Sequence, residues 1–345
     1  MQAPDFWYTD IGWRARMLGP LAHLYGAAAR VRARVTVPYR ASLPVLCVGN
    51  ITVGGSGKTP TALALAHRLM AMGERPAFLT RGYGGRIRGP LLVDPDRAHA
   101  TDVGDEALLL ARTCATIVSA NRPKGADAAA TTGASVVIMD DGYQNPTLHK
   151  DAGFLVVDAR SGLGNGRLMP AGPLRETAAD ALARASALVL IGDGTRGSGV
   201  AKQAAAFDVP VFHARLQPMG EPAFWRGKRL LAFAGIGQPD KFKASLAQVG
   251  ADVVEWRAFA DHHMYTEDEA RSMIDTARTQ GLELVTTAKD HARLSGARRG
   301  SATAELSAHA LTLAVQIAFD EAAAVDALLA ARLRAARSAS QYKAF

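Results

Sequence analysis

The sequence predicts an α/β protein: a doubly wound, mainly parallel sheet, with a second, smaller α/β domain joined to it by a two-stranded ribbon. Three observations predict this. Short runs rich in Val, Ile, Leu and Ala alternate with helical patterns almost to the C-terminus. Those runs are apolar throughout rather than at every second position, as parallel strands covered on both faces must be. The alternation also comes in two series, on either side of extended segments, and 345 residues is long for one domain.

Residues 1–40 carry Arg14, Arg16, Arg30, Arg32, Arg34 and Arg40 against Asp5 and Asp10, a net of +4 within a chain of net charge +8. Trp7 and Trp13, two of the four tryptophans, lie in the same segment. Met17, Leu21, Leu24, Ala28 and Val31 fall at helical spacing, so the segment reads as basic and amphipathic, suited to an anionic membrane surface. A helix docked on the protein's own core is the alternative. Pro20 is expected to interrupt the segment and leave two short helices. The uncharged run from Met17 to Ala29 falls short of the roughly 20 apolar residues that cross a bilayer, and it has no cleavage pattern of a secretory signal. The chain is therefore expected in the cytoplasm or on its membrane face.

The first series of strands is expected at residues 45–49, 77–80, 116–119, 136–139, 154–157 and 188–191, with helices at 59–72 and 106–112 between them. The second series is 230–234, 253–256 and 284–287. Within it Thr266 and Glu269 form a capping box and Gly281 supplies a helix stop. Residues 211–217 and 311–317 are expected to pair as the ribbon. The division is then 1–40, a membrane-surface segment; 41–218, a nucleotide-binding domain; and 219–345, a smaller domain with a C-terminal helix. Hydrophobic residues at 48% and charged ones at 21% exclude a disordered chain. Cys47 and Cys114 have no metal-type spacing, and Cys47 sits in the apolar run 43–48 as a core residue.

Chemistry enters at Gly49-Asn50-Ile51-Thr52-Val53-Gly54-Gly55-Ser56-Gly57-Lys58-Thr59, which follows a predicted strand and opens a predicted helix. Glycines let backbone N–H groups point inward, and the helix N-terminus favours an anion. Thr52 to Thr59 thus form a phosphate cradle, in which Lys58 reaches the β- and γ-phosphates and Thr59 ligates Mg²⁺. Thr52 stands where the strict P-loop pattern has glycine. A P-loop needs a carboxylate where a nearby strand emerges, and Val136-Val137-Ile138-Met139 runs into Asp140-Asp141. Asp140 is assigned to the Mg²⁺ shell, with Asp141 as a neighbour able to exchange roles with it. The fold class is accordingly P-loop NTPase-type, with ATP and Mg²⁺ as cofactors. Partitioning and arsenical-pump ATPases carry an extra lysine where this chain has Val53. The order of Thr287-Ala288-Lys289-Asp290 is not that of a guanine reader. No RNP, helix-turn-helix or finger signature accompanies the basic charge, so no nucleic acid is expected.

These residues resemble one family, the tetraacyldisaccharide 4′-kinases of lipid A biosynthesis. The resemblance runs through 49–60, Arg81-Gly82-Tyr83-Gly84-Gly85, Gly104-Asp105-Glu106, Asp140-Asp141-Gly142-Tyr143-Gln144 and Gly164-Asn165-Gly166. It continues through Pro170-Ala171-Gly172-Pro173-Leu174-Arg175-Glu176, Phe233-Ala234-Gly235-Ile236-Gly237, Asp261-His262-His263 and Thr286-Thr287-Ala288-Lys289-Asp290. The sequence departs from the family's common residues at Asn145, Ala260 and Ala288. The resemblance implies transfer of the ATP γ-phosphoryl group to the 4′-hydroxyl of a tetraacylated glucosamine disaccharide 1-phosphate. It points to Asp105 as the base for that hydroxyl, with His262 orienting it or sharing its proton. Arg122 and Arg175 would steady the transferring phosphoryl group or the substrate's phosphate. Asn50, Arg81, Tyr83, Glu106 and Gln144 would line the substrate. A four-chain lipid must be met at the bilayer, which implies a peripheral enzyme on the cytoplasmic face of the bacterial inner membrane with no obligate protein partner. A partitioning- or metallochaperone-type NTPase acting on a protein partner is the alternative, and a soluble small-molecule kinase is a further one.

Overall fold

The computed structural model describes residues 4–341. A nine-stranded sheet is built from β1 (Val45–Gly49), β2 (Pro76–Thr80), β3 (Leu91–Leu92), β4 (Thr116–Val118), β5 (Val136–Asp140), β6 (Ala152–Asp158), β7 (Ala187–Ile191), β8 (Val211–Pro218) and a late strand, Val315–Phe319. A four-stranded sheet holds β9 (Arg229–Ala234), β10 (Asp252–Ala258), β11 (Glu283–Thr287) and β12 (Leu311–Leu313); the late strand is β13. The orders are β13-β8-β7-β6-β1-β5-β2-β4-β3 and β10-β9-β11-β12. Pairing is parallel throughout except at the two edges of the large sheet, β13 on β8 and β3 on β4.

Burial explains why these strands read as unbroken apolar runs. In β1, Leu46 and Val48 enter one core while Val45 and Cys47 enter the core on the opposite face, because successive side chains point to opposite faces. The first core is closed by the helix Lys58–Ala71, through Ala62, Leu65 and Leu69, and by the helix Ala322–Gln341, through Val325, Leu329 and Leu333. The second is closed by Arg122–Ala130, Ala178–Leu182 and Thr195–Ala205. Cys47 is fully buried, which pushes its thiol up to about 11.

The ribbon forms where residues 315–317 meet 216–218, while the start of its second segment goes elsewhere. Residues 214–218 of β8 pair antiparallel with β13, but β8 is also parallel to β7, so both belong to the large sheet. Leu311–Leu313 instead extends the small sheet beside β11. The C-terminal helix, expected within 219–345, packs on the large sheet, where Arg68 on the P-loop helix grips Asp326 at 2.6 Å. Two helices, Trp13–Met17 and Gly19–Val35, form the N-terminal segment, with Pro20 in the first turn of the second. Trp13, Met17, Leu21, Leu24 and Val31 are exposed, so the stripe is not docked on the core. Trp7 differs: it is buried, and its indole N–H donates to the Pro170 carbonyl at 3.1 Å.

Candidate active site

The phosphate loop joins β1 to the helix Lys58–Ala71. Gly57 caps that helix with φ of +89°, a conformation costly for any residue with a Cβ. The start of the loop is held from outside: Val53 N–H donates to Pro173 O (2.9 Å) and Arg175 N–H to Ile51 O (2.7 Å). That pairing lays the 173–176 segment along the loop and swings the Arg175 side chain to Asp141, 3.1 Å away. Thr52 replaces the usual glycine here because the backbone is extended enough to bridge Leu174, while the Asn50 amide donates to the Thr52 carbonyl.

Asp140 and Asp141 leave the end of β5 as expected. Thr59 Oγ1 donates to Asp140 Oδ2 at 3.2 Å, and Lys58 Nζ lies 3.7 Å from Asp141 Oδ2. Burial first, then the charges of Glu106 and Asp141, raise the Asp140 carboxyl to about 7. Burial also favours the neutral form of Asp141, but Lys58, Arg175 and Arg122 outweigh it and hold that carboxyl below its usual range. Asp141 adopts φ of +50°, backbone strain of the kind kept at functional positions. Arg122 is buried, donates to Ser119 O at 2.6 Å and adds positive charge beside both aspartates. Gln144 bonds Asn50 O and Glu176, which places it under the loop rather than free in the cleft.

The other wall belongs to the small sheet, whose parallel strands aim their C-terminal ends at the same cleft. After β9 the chain passes so near the loop that a Cβ on Gly237 would lie 3.4 Å from Gly55 N. Lys241 pairs with Asp158 across the cleft. On the large-sheet side, Gly104 has φ of +87°, and a Cβ there would lie 2.4 Å from Tyr83 O. Only glycine permits this contact, which sets the Arg81–Gly85 turn beside Asp105.

Asp105 is where the two walls meet. Its Oδ2 accepts from His262 Nδ1 (3.1 Å) and Arg293 Nε (2.8 Å), and its Oδ1 from Glu106 N–H (2.8 Å). Burial would raise this carboxyl, but the His262 hydrogen bond and the charges of Lys289, His262 and Arg293 hold it well below the usual carboxylate range. The same hydrogen bond raises His262 against its partial burial. His262 has φ of +58°, and the Tyr83 ring stands 5.2 Å from it. Arg81 and Tyr83 are exposed at the rim. Glu106 bonds Lys289 Nζ at 2.6 Å and faces Asp140 electrostatically, so it lies toward the Asp140 side of the cleft.

Sequence reasoning missed Arg293 and gave Lys289 no role, although Lys289 lies in the 286–290 stretch of the resemblance; nothing in the helical stretch after β11 marks Arg293 as a site residue. Asn145 is a turn former, its Oδ1 accepting from Thr147 N–H. The buried polar atoms without a partner include Asn50 Oδ1, Ser56 Oγ, Asp140 Oδ1, Gln238 Oε1 and Arg293 Nη2, all on segments that bound this cleft. Unpaired groups are costly in a core, so their gathering here marks a place where a ligand completes the bonding.

Comparisons with known proteins bear on the chain as a whole. The family model described as tetraacyldisaccharide-1-P 4′-kinase matches residues 14–334. A tetraacyldisaccharide 4′-kinase of Parvibaculum lavamentivorans is 53% identical over 320 residues, 92% of this chain and 93% of that one. One from Brucella ovis is 48% identical over 328 residues, 95% of each chain. The crystal structure of "apo" form LpxK from Aquifex aeolicus in complex with ATP is 26% identical, covers 92% of this chain and 99% of its own, and superposes with a TM-score of 0.72.

Proposed function

The chain belongs to the tetraacyldisaccharide 4′-kinase family and is an ATP-dependent kinase of lipid A biosynthesis, phosphorylating the 4′-hydroxyl of a tetraacylated disaccharide 1-phosphate; on that premise we propose that Asp105 and His262 act as one unit to take the hydroxyl's proton. The alternative of an NTPase that switches a protein partner finds no support in these relatives.

One observation carries the proposal: Asp105 and His262 come from opposite domains and meet at 3.1 Å in the cleft that the phosphate loop opens into. With Nδ1 donating to Asp105, Nε2 is left to accept a proton. Asp105, whose oxygens already accept three hydrogen bonds, is the weaker proton holder. The hydroxyl's proton therefore comes to rest on the imidazole, and the ionised Asp105 offsets the imidazolium charge. Lys58, Arg122 and Arg175 bring positive charge to the end of β5, where charge on the transferring phosphoryl group would be stabilised. Arg81 and Tyr83 would line the sugar at the rim, Glu106 and Gln144 fixing that wall through Lys289 and Glu176, while Asn50, expected there too, is fully buried and holds the phosphate loop through Thr52.

The donor set fits Mg²⁺. Asp140 is buried with Oδ1 unpartnered, its carboxyl raised first by that burial and then by the negative charge of Glu106 and Asp141, a setting that a cation would relieve. Thr59 and Asp140 would hold the ion, leaving positions for phosphate oxygens and water. Among the described residues no cluster of three or more His, Cys, Asp or Glu could hold a metal unaided. When bound, Mg²⁺ would neutralise phosphate charge.

The exposed apolar stripe and arginines of 11–35 support contact with an anionic membrane surface, on the cytoplasmic face of the inner membrane where this lipid would be met. Among the described residues no helix is long and apolar enough to cross a membrane. Incubation with γ-labelled ATP and the disaccharide lipid tests the assignment. Label should enter the lipid, and the Asp105→Asn variant should lose that transfer while binding ATP normally; unimpaired transfer by Asp105→Asn would sink the proposed base.

A further inference from the structure

We propose that Arg293 is the positioning residue of this base, clamping the Asp105 carboxylate to the small domain so that the proton is taken up by His262 in one fixed geometry. The inference rests on the Asp105–His262 reading and adds to it a residue that acts on the proton through Asp105.

Arg293 lies on the short helix Ala288–Leu294 that follows β11, with its side chain only 2% exposed. Its guanidinium is a fork with two carboxylate tines. Nε donates to Asp105 Oδ2 at 2.8 Å, and Nη1 to Asp290 Oδ1 at 2.8 Å, with a further bond to His263 O at 3.2 Å. Asp290 is itself immobilised. It is fully buried and accepts from Gly235 N–H (2.9 Å), Tyr265 OH (2.6 Å) and Thr287 Oγ1 (2.5 Å). One arginine thus binds the carboxylate on one wall, the anchor on the other, and the backbone next to His262. The planar, rigid geometry of guanidinium suits this; an ammonium carries the charge without the fork.

The arrangement has an electrostatic consequence. Asp105 faces His262, Arg293 and Lys289, with Glu106 on its own helix; His262 faces Asp105, Asp261 and Lys289, with the Tyr83 ring beside it. Arg293 also faces Asp290 and Tyr265. Taking away its positive charge leaves the Asp105–His262 pair more negative, so the pair holds a proton to higher pH. A merely structural staple would not move that titration.

The test is a pH profile of lipid phosphorylation for wild type, Arg293→Lys, Arg293→Met and His262→Ala, with ATP KM and melting temperature measured for each. Arg293→Met should lower kcat about 10- to 100-fold at little cost in ATP KM, and its acid limb should move up by about one unit or more. Arg293→Lys should leave the acid limb in place, because the charge remains, yet still lose kcat because the fork is gone. Should Arg293→Met not fold, with two buried carboxylates unpaired, the Lys variant decides: wild-type kcat, or a loss confined to ATP KM, overturns the proposal. A folded Met variant whose acid limb stays put overturns it as well. If His262→Ala keeps wild-type turnover, the base reading itself has failed; if only the Arg293 variants behave as wild type, the clamp alone has.

Discussion

At the scale of single residues the site is a set of charges whose positions decide their roles. Lys58 and Thr59 are fixed by the first turn of the P-loop helix, so Lys58→Ala and Thr59→Ala should each abolish most turnover while the protein stays folded. Near-normal turnover by Lys58→Ala with an unchanged melting temperature would contradict the phosphate role. Asp105→Asn and His262→Ala should both depress kcat more than ATP binding, and the double variant should lose less than the two losses combined. Fully additive losses would mean independent roles. The pair also makes a pH-dependent contribution to stability. His262 is raised on folding, so its share is complete below its ordinary value of about 6.5 and is lost as pH rises through the higher folded value. Asp105 is lowered, so its share is present above about 3.8 and is lost only in acid. The melting temperature difference between wild type and His262→Ala should therefore be larger at pH 6 than at pH 9; a difference independent of pH would show that the two groups are not coupled. Lys58, Thr59 and Asp140 were legible in the sequence because motif and strand–loop–helix context are contiguous. Arg293 was not, since its partner Asp105 lies 188 residues away.

Elements show the same divide between local and distant causes. The capping box of Thr266 and Glu269 was readable because all its bonds lie within four residues. That Glu269 also bonds His263 Nε2 at 2.9 Å, tying this helix to the loop that carries His262, was not. The N-terminal helices were expected from their spacing, and Pro20 from its fixed φ. Their stripe remains exposed, with Trp13 at 67% and Met17 at 72%. Trp7 belongs with the core instead, so removing the whole segment would unpack the 164–173 loop along with any membrane contact. Serine substitution of Met17, Leu21, Leu24 and Val31 isolates the surface. Vesicles rich in anionic lipid should float the wild type in a partly salt-sensitive way and float this variant poorly, with ATP binding intact. Equal flotation of the two would remove the helices from the membrane role.

Across the whole molecule, the chain crosses from the large sheet to the small one and then returns. β13 and the C-terminal helix complete the large-sheet core, and Leu329 of that helix is buried in it with Val325 and Leu333. Leu329→Ala should cost about 2–5 kcal/mol, read as a lower urea midpoint for loss of ATP binding. An unchanged midpoint would place the helix outside that cooperative unit. The sequence by itself determined the fold class, most of the strand positions and the phosphate loop. Periodicity of apolar residues and contiguous glycines report the faces and turns of one element at a time. Only the tertiary structure decided that the last strand and helix rejoin the first domain, that Trp7 is core, and that Asp105 meets His262 and Arg293. Those outcomes depend on which buried faces pack together and on how two sheets aim their C-terminal ends into one cleft, and no local pattern encodes the distance between residues on opposite walls.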